Sequence, residues 1–148
     1  MNYMLLALSL SLATAVPVIT LERGACFGTC PVYQLKIYED GKVEYEGKEF
    51  VRVRGKANGQ ITKDAVQTLI REFEKIDYVK LDDSYEIGTK NCPEEWTDHP
   101  LAITSLNWQG KEKKIRHYHG CRGVAVLDQL TALENKIDEV ADTKRWIK

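Results

Sequence analysis

The chain has 148 residues, 43% of them hydrophobic and 29% charged, with a formal net charge of −1. That length suits one domain with one core, and the balance excludes both a disordered tail and a multi-span membrane protein. Near-neutrality excludes long-range attraction of the whole molecule to nucleic acid or an anionic bilayer, so any charged partner would have to be met by a local patch.

The N-terminus differs from the rest. Met4 to Leu12 is an uncharged apolar run, and Ala13-Thr14-Ala15 closes it with the small-x-small pattern that signal peptidases accept. The run is shorter than the about 20 residues a membrane span needs. Residues 1–15 are therefore expected to be an export signal cleaved before Val16. The mature chain, residues 16–148, is expected to be a single periplasmic or secreted domain with no stable membrane span after signal removal. The first Lys or Arg is Arg23, so the positive start of the signal rests on the terminal amine alone.

Val16 to Leu21 reads as a first strand, ended by Gly24 and the Cys26-Phe27-Gly28-Thr29-Cys30-Pro31 turn. Tyr33, Leu35 and Ile37 then alternate with polar residues, Asp40-Gly41 turns the chain, and Val43 and Tyr45 alternate in the return strand. Phe50 to Arg54 reads as a further strand of this meander. Thr62 is placed to cap a helix in which Ala65, Val66, Leu69, Ile70, Phe73 and Ile76 recur at helical spacing. Tyr78, Val79 and Leu81 suggest a short extended piece, and residues 82–99 a long polar loop pinned by Cys92. A second hairpin, about Leu101 to His119, turns at Gln109-Gly110, with a bulge expected near Ser105 where the apolar parity changes. Val126, Leu127, Leu130, Leu133, Ile137 and Val140 mark a C-terminal helix, after which Trp146 and Ile147 should pack back. The expected fold is α+β: an antiparallel sheet built from the meander and the second hairpin, with two helices on one face.

The four cysteines, Cys26, Cys30, Cys92 and Cys121, fit an oxidising compartment and allow three pairings. Cys26 with Cys30 and Cys92 with Cys121 is preferred, because the first two are nearly adjacent and the second two border one segment. In the chain-entropy model the longer loop would contribute about 3.5 kcal/mol and the shorter about 2 kcal/mol. The Cys-x-x-x-Cys-Pro spacing also looks like the copper-handling, thioredoxin-fold assembly factors of the Sco type, which pair two thiolates with a distant histidine. In such folds the motif opens a helix whose dipole lowers the thiol pKa, whereas here Val32 to Tyr38 alternates as a strand. A structural disulfide is the expected state.

His117, His119 and Cys121 share strand parity with Ile115, so the histidines should line the edge of the core. No metal or cofactor is expected, with His117 and His119 as the alternative pair of metal ligands. In Thr97-Asp98-His99-Pro100 the acid and imidazole are adjacent and point apart, so Asp98 is read as a turn former, and no residue is assigned a catalytic role. Arg52, Arg54 and Lys56, with Lys111, Lys113, Lys114 and Arg116, could form a basic surface or protect strand edges. Without interleaved aromatics, that surface does not point to nucleic acid.

Arg23-Gly24, the block Cys26-Phe27-Gly28-Thr29-Cys30-Pro31-Val32-Tyr33, Asp40-Gly41, Tyr45 with Gly47, Thr97-Asp98 and Arg145-Trp146 together resemble a bacterial family known as domain of unknown function 6438. The resemblance spans nearly the whole mature chain and implies a single domain in an envelope or secreted setting; it implies no activity. Cys92 and His119-Gly120-Cys121-Arg122 lie outside the motif, which strengthens the pairing of those two cysteines with each other. The expected function is that of a non-enzymatic binding or inhibitory module of the bacterial envelope, whose partner is an envelope or extracellular protein or polymer. Its alternative is a thiol-redox or copper-handling protein using Cys26 and Cys30.

Overall fold

Period-two burial builds the sheet in the computed structural model, which describes residues 14–148. The expected export signal lies almost wholly outside those residues. In β1 (Ile19–Arg23), β2 (Val32–Ile37) and β3 (Lys42–Glu49), the buried side chains are Ile19, Leu21, Tyr33, Leu35, Ile37, Val43 and Tyr45. β4 (Gly55–Gln60) completes the meander. After the first helix come two short strands, β5 (Ser84–Tyr85) and β6 (Glu94–Glu95), and then β7 (Leu101–Trp108) and β8 (Lys111–Tyr118), which form the second hairpin. The hairpin docks beside β1, giving the order β4-β3-β2-β1-β7-β8-β5, antiparallel except that β5 runs parallel to β8. A two-stranded ribbon of β6 with β9 (Cys121–Arg122) sits apart.

Helices α1 (Lys63–Lys75) and α2 (Val126–Ala141) bury Val66, Leu69, Ile70, Phe73, Leu127, Leu130, Leu133 and Ile137 in the same core as the inward strand residues. Both therefore cover one face of the sheet, and the fold is α+β. Thr62 caps α1 as expected, its Oγ1 accepting from the Ala65 amide at 3.0 Å. The last turn, α3 (Lys144–Ile147), brings Trp146 onto Tyr45 with ring centroids 4.8 Å apart. No helix among the described residues is long and apolar enough to cross a membrane.

Four local expectations are corrected. The first strand starts at Ile19 rather than Val16, because Pro17 has no amide to give the ladder. Phe50 to Arg54 is a bend, entered at positive φ by Phe50 and left at positive φ by Gly55, and the strand lies in the glycine-containing stretch after it. Val51 and Val53 still pack against the core, the latter donating its amide to the Trp146 carbonyl at 2.9 Å. Tyr78–Lys80 is a 3-10 turn rather than an extended piece, entered by Asp77 in the left-handed region. No bulge occurs at Ser105: the β1–β7 register runs unbroken from Ile19 opposite Leu106 to Arg23 opposite Ala102. The inward residues of β7 are Ala102, Thr104 and Leu106, and the buried Thr104 hydroxyl is satisfied by the Tyr78 hydroxyl at 2.8 Å.

Candidate functional site

A single register row across the sheet assembles the polar heart of the molecule. From β3 to β5, the opposed residues are Gly47, Tyr33, Arg23, Ala102, His117 and Tyr85. All face the helices, because strand pairing keeps opposed residues on one side. Above them α2 carries the stripe Leu127, Leu130, Glu134, Ile137, Ala141 at alternating three- and four-residue steps, which places a carboxylate in an otherwise apolar line. Glu134 is 1% exposed and His117 3% exposed.

A buried carboxylate must be met by donors, and this one is. His117 Nδ1 donates to Glu134 Oε1 at 2.6 Å and His119 Nε2 to Oε2 at 2.7 Å, with the two imidazoles stacked at 4.4 Å. Arg23 Nη1 stands 3.6 Å from Oε2. An ionised carboxylate only accepts, so both of those ring nitrogens carry the proton. Burial alone would raise the Glu134 pKa, but the hydrogen bonds from His117 and His119 outweigh it and hold the carboxyl below its usual range.

The second carboxylate on the same helix face, Asp138, binds the other side of Arg23. Arg23 Nη2 donates to Asp138 Oδ2 at 2.8 Å and to Asn135 Oδ1 at 3.1 Å, and the Tyr33 hydroxyl donates to Asp138 Oδ1 at 2.8 Å. Burial opposes the Arg23 charge, yet the neighbouring carboxylates hold its pKa above the ordinary value. Burial and the Asp138 charge push the Tyr33 phenol far up, so it stays a donor. The chain Tyr33–Asp138–Arg23–Glu134–His117/His119 is thus a continuous network stitching three strands to α2.

Beside it opens a cleft of about 400 Å³ lined by His117, His119, Arg122, Asp128 and Thr131 among others. The donor atoms of His117, His119 and Glu134 lie within 4.8 Å of one another. Of these three, the histidines are legible in the sequence and Glu134 was missed; its signal is the charged residue within the apolar stripe of α2.

Both expected disulfides are formed. Cys26 and Cys30 have Cα atoms 5.7 Å apart, and Cys92 and Cys121 4.9 Å, within the range a bridge requires. No free cysteine remains among the described residues, and Cys30 leads into strand β2, with no helix opening there. The long bridge ties the 82–99 segment to β9, two residues beyond His119.

Strand directions place both bridges at one end of the sheet, because β1, β3, β8 and β5 all run toward it and β2, β4 and β7 start from it. The loops at that end carry the exposed large apolar side chains Phe27 (91%), Phe50 (50%), Ile87 (52%) and Trp96 (51%). Trp96 is held rather than loose: its amide donates to the Gly120 carbonyl at 2.8 Å, its indole to Glu94 at 3.0 Å, and the Arg122 guanidinium lies over its ring at 5.0 Å. A Cβ at Gly120 would collide with the Trp96 carbonyl and the Tyr118 ring. Gly120→Ala is therefore expected to destabilise the protein by about 1–3 kcal/mol through overpacking, read as a lower denaturant midpoint at unchanged slope. A midpoint equal to that of the parent would show that Trp96 is not clamped there.

The remaining candidates separate. Asp98 adopts positive φ, as a turn former does, while the His99 Nδ1 pairs with the Thr97 carbonyl at 2.6 Å, so the two form no acid–base couple. Arg52 and Arg54 lie in the bend before Lys56 and do not alternate along a strand. On β8, Lys113 pairs with Asp83 at 2.5 Å and Arg116 with Glu86 at 3.0 Å, so these two do not contribute free charge to a basic surface.

Fold and site define a small α+β domain with one helical layer on an antiparallel sheet and disulfide-closed loops at one end. The chain belongs to the family described as a domain of unknown function, DUF6438, whose model matches residues 17–141. Comparison with curated proteins finds no match. Two closed disulfides fit an exported protein.

Proposed function

We propose that this chain is a non-enzymatic binding module of the bacterial envelope, which docks onto an envelope or extracellular protein through the loop end of its sheet. One observation carries the reading: Phe27, Phe50, Ile87 and Trp96 all project from that end. Large apolar side chains gathered on one edge of a soluble domain mark an interaction surface, and single scattered ones would not. With strands about 4.8 Å apart, these loops spread along a rim roughly 30 Å long, wide enough for a standard protein interface. The Cys26–Cys30 ring limits the freedom of the loop that carries Phe27, which lowers the entropy lost on docking. Aromatic anchors on restrained loops are the side chains that dominate binding energy.

Quantitative cross-linking of the full chain in envelope extract tests this. Phe27→Ser and Trp96→Ser should each weaken capture of the same protein by about 2 kcal/mol, roughly 30-fold, while Lys111→Ser at the opposite end leaves it intact. Capture indifferent to both aromatic changes, or captured material that proves to be a polymer rather than a protein, overturns the proposal.

A further inference from the structure

We infer that His117, His119 and Glu134 form a binding site for one divalent transition-metal ion of the zinc class. Three ligand-type side chains converge here from strand β8, the turn that follows it and helix α2, with donor atoms within 4.8 Å of one another. Zinc bonds of about 2.1 Å to nitrogen and oxygen set tetrahedral ligand spacings of roughly 3.4 Å. His117 Nδ1 and His119 Nε2 already stand 2.6 and 2.7 Å from the two Glu134 oxygens and all the ligand atoms lie within 4.8 Å, so an ion is accepted by opening the two short contacts by roughly 0.7–0.8 Å and drawing the set together around it.

The ligand chemistry selects the ion. Two imidazoles and one carboxylate suit zinc and its first-row neighbours, whereas calcium and magnesium prefer all-oxygen shells. Cys121 lines the same cleft, but its sulfur is committed to Cys92 and offers no thiolate. The charge also fits. Arg23 would repel a cation, but Asp138 pairs with it at 2.8 Å, so Glu134 supplies the uncompensated negative charge of the cluster. Arg122 also lines the cleft, with its guanidinium held on the carbonyls of His119 and Cys121 at 2.5 and 2.9 Å and over the Trp96 ring.

The proton balance is simple. In the metal-free network each imidazole directs an N–H at Glu134. On binding, the coordinating nitrogen gives up its proton, to the ring's other nitrogen in a neutral imidazole or to solvent from an imidazolium, and the vacated lone pair coordinates the ion. Three protein ligands leave a fourth position, which faces the cleft of about 400 Å³ beside Asp128 and Thr131. Arg23, Asp138 and the Cys92–Cys121 bridge hold the ligand-bearing segments in place, the arrangement that raises affinity at ordinary metal sites.

Calorimetric titration of the chelator-treated full chain with zinc chloride decides it, paired with melting curves and with cobalt substitution. The expected result is one zinc per chain, a higher melting temperature with zinc, and tetrahedral cobalt absorption without thiolate charge-transfer bands. His119→Ala, which removes only a partly exposed ring, should weaken zinc binding about 10-fold or more, and Glu134→Gln likewise. His99→Ala changes the chain's one histidine outside the cluster and should bind as the parent does. A parent that fails to bind zinc, or that loses no affinity with His119→Ala, overturns the inference. So does a loss caused by His99→Ala instead.

Discussion

The double variant Cys92→Ser with Cys121→Ser should lose about 2–5 kcal/mol of stability, the usual cost of removing a native bridge from a small exported domain. The crosslink closes a loop with a sequence separation of 29, against 4 for the Cys26–Cys30 bridge. On chain entropy alone the long bridge is therefore worth about 3.5 kcal/mol and the short one about 2 kcal/mol. Packing widens the gap. Cys92 and Cys121 are buried at 4% and 1% exposure, and their bond pins the middle of the polar 82–99 segment between β5, which is held on β8, and Trp96, which is held on Gly120. For a domain of this size each kcal/mol shifts the melting temperature by roughly 3–6 °C, so a fall of about 6–30 °C is expected. The matching change at Cys26 and Cys30 should lower it less. Equal losses for the two pairs, or less than about 1 kcal/mol for the long one, would contradict this ranking.

Glu134→Ala, measured in chelator so that no metal contributes, is expected to cost about 3–5 kcal/mol. Truncation leaves the His117 Nδ1–H without an acceptor at a site 3% exposed, strips His119 of its partner, and leaves Arg23 with Asp138 as its remaining carboxylate. The loss comes from stranded donors more than from missing volume. That attribution is testable, because Glu134→Leu with His117→Leu removes both buried partners and should recover part of the stability that Glu134→Ala loses. If the double variant is no more stable than Glu134→Ala, stranded polar groups are not the cause. Denaturant midpoints for the three proteins give the comparison directly.

How much of the fold is legible in the sequence depends on the range of the interaction. Sheet hairpins, the two amphipathic helices and the Thr62 cap come from spacing within a dozen residues, and they appear where periodicity puts them. Both disulfides are also reachable, since each joins cysteines whose pairing is the most local available. β4 is not, because Gly-Lys-Ala-Asn-Gly-Gln has little β propensity of its own and becomes a strand by hydrogen-bonding to β3. Ser105 misleads for a related reason: Leu101 and Ile103 suggest a change of parity, whereas β7 buries Ala102 and Thr104 and satisfies the threonine through Tyr78.

By itself, then, the sequence determined the class of fold, its covalent pins and the shared parity of His117 with Ile115, all from local rules of alternation and helical spacing. Only the tertiary structure decided what those histidines meet. Arg23 and Glu134 are distant in sequence and stand 3.6 Å apart. Their approach depends on the second hairpin docking beside β1, so that Arg23 and His117 enter one register row with Ala102 between them. It depends equally on α2 lying across that row. The same strand directions gather Phe27, Phe50, Ile87 and Trp96 at one end. Each of those residues is ordinary in its own segment, and a surface forms only because alternating strand direction returns four separate loops to the same edge.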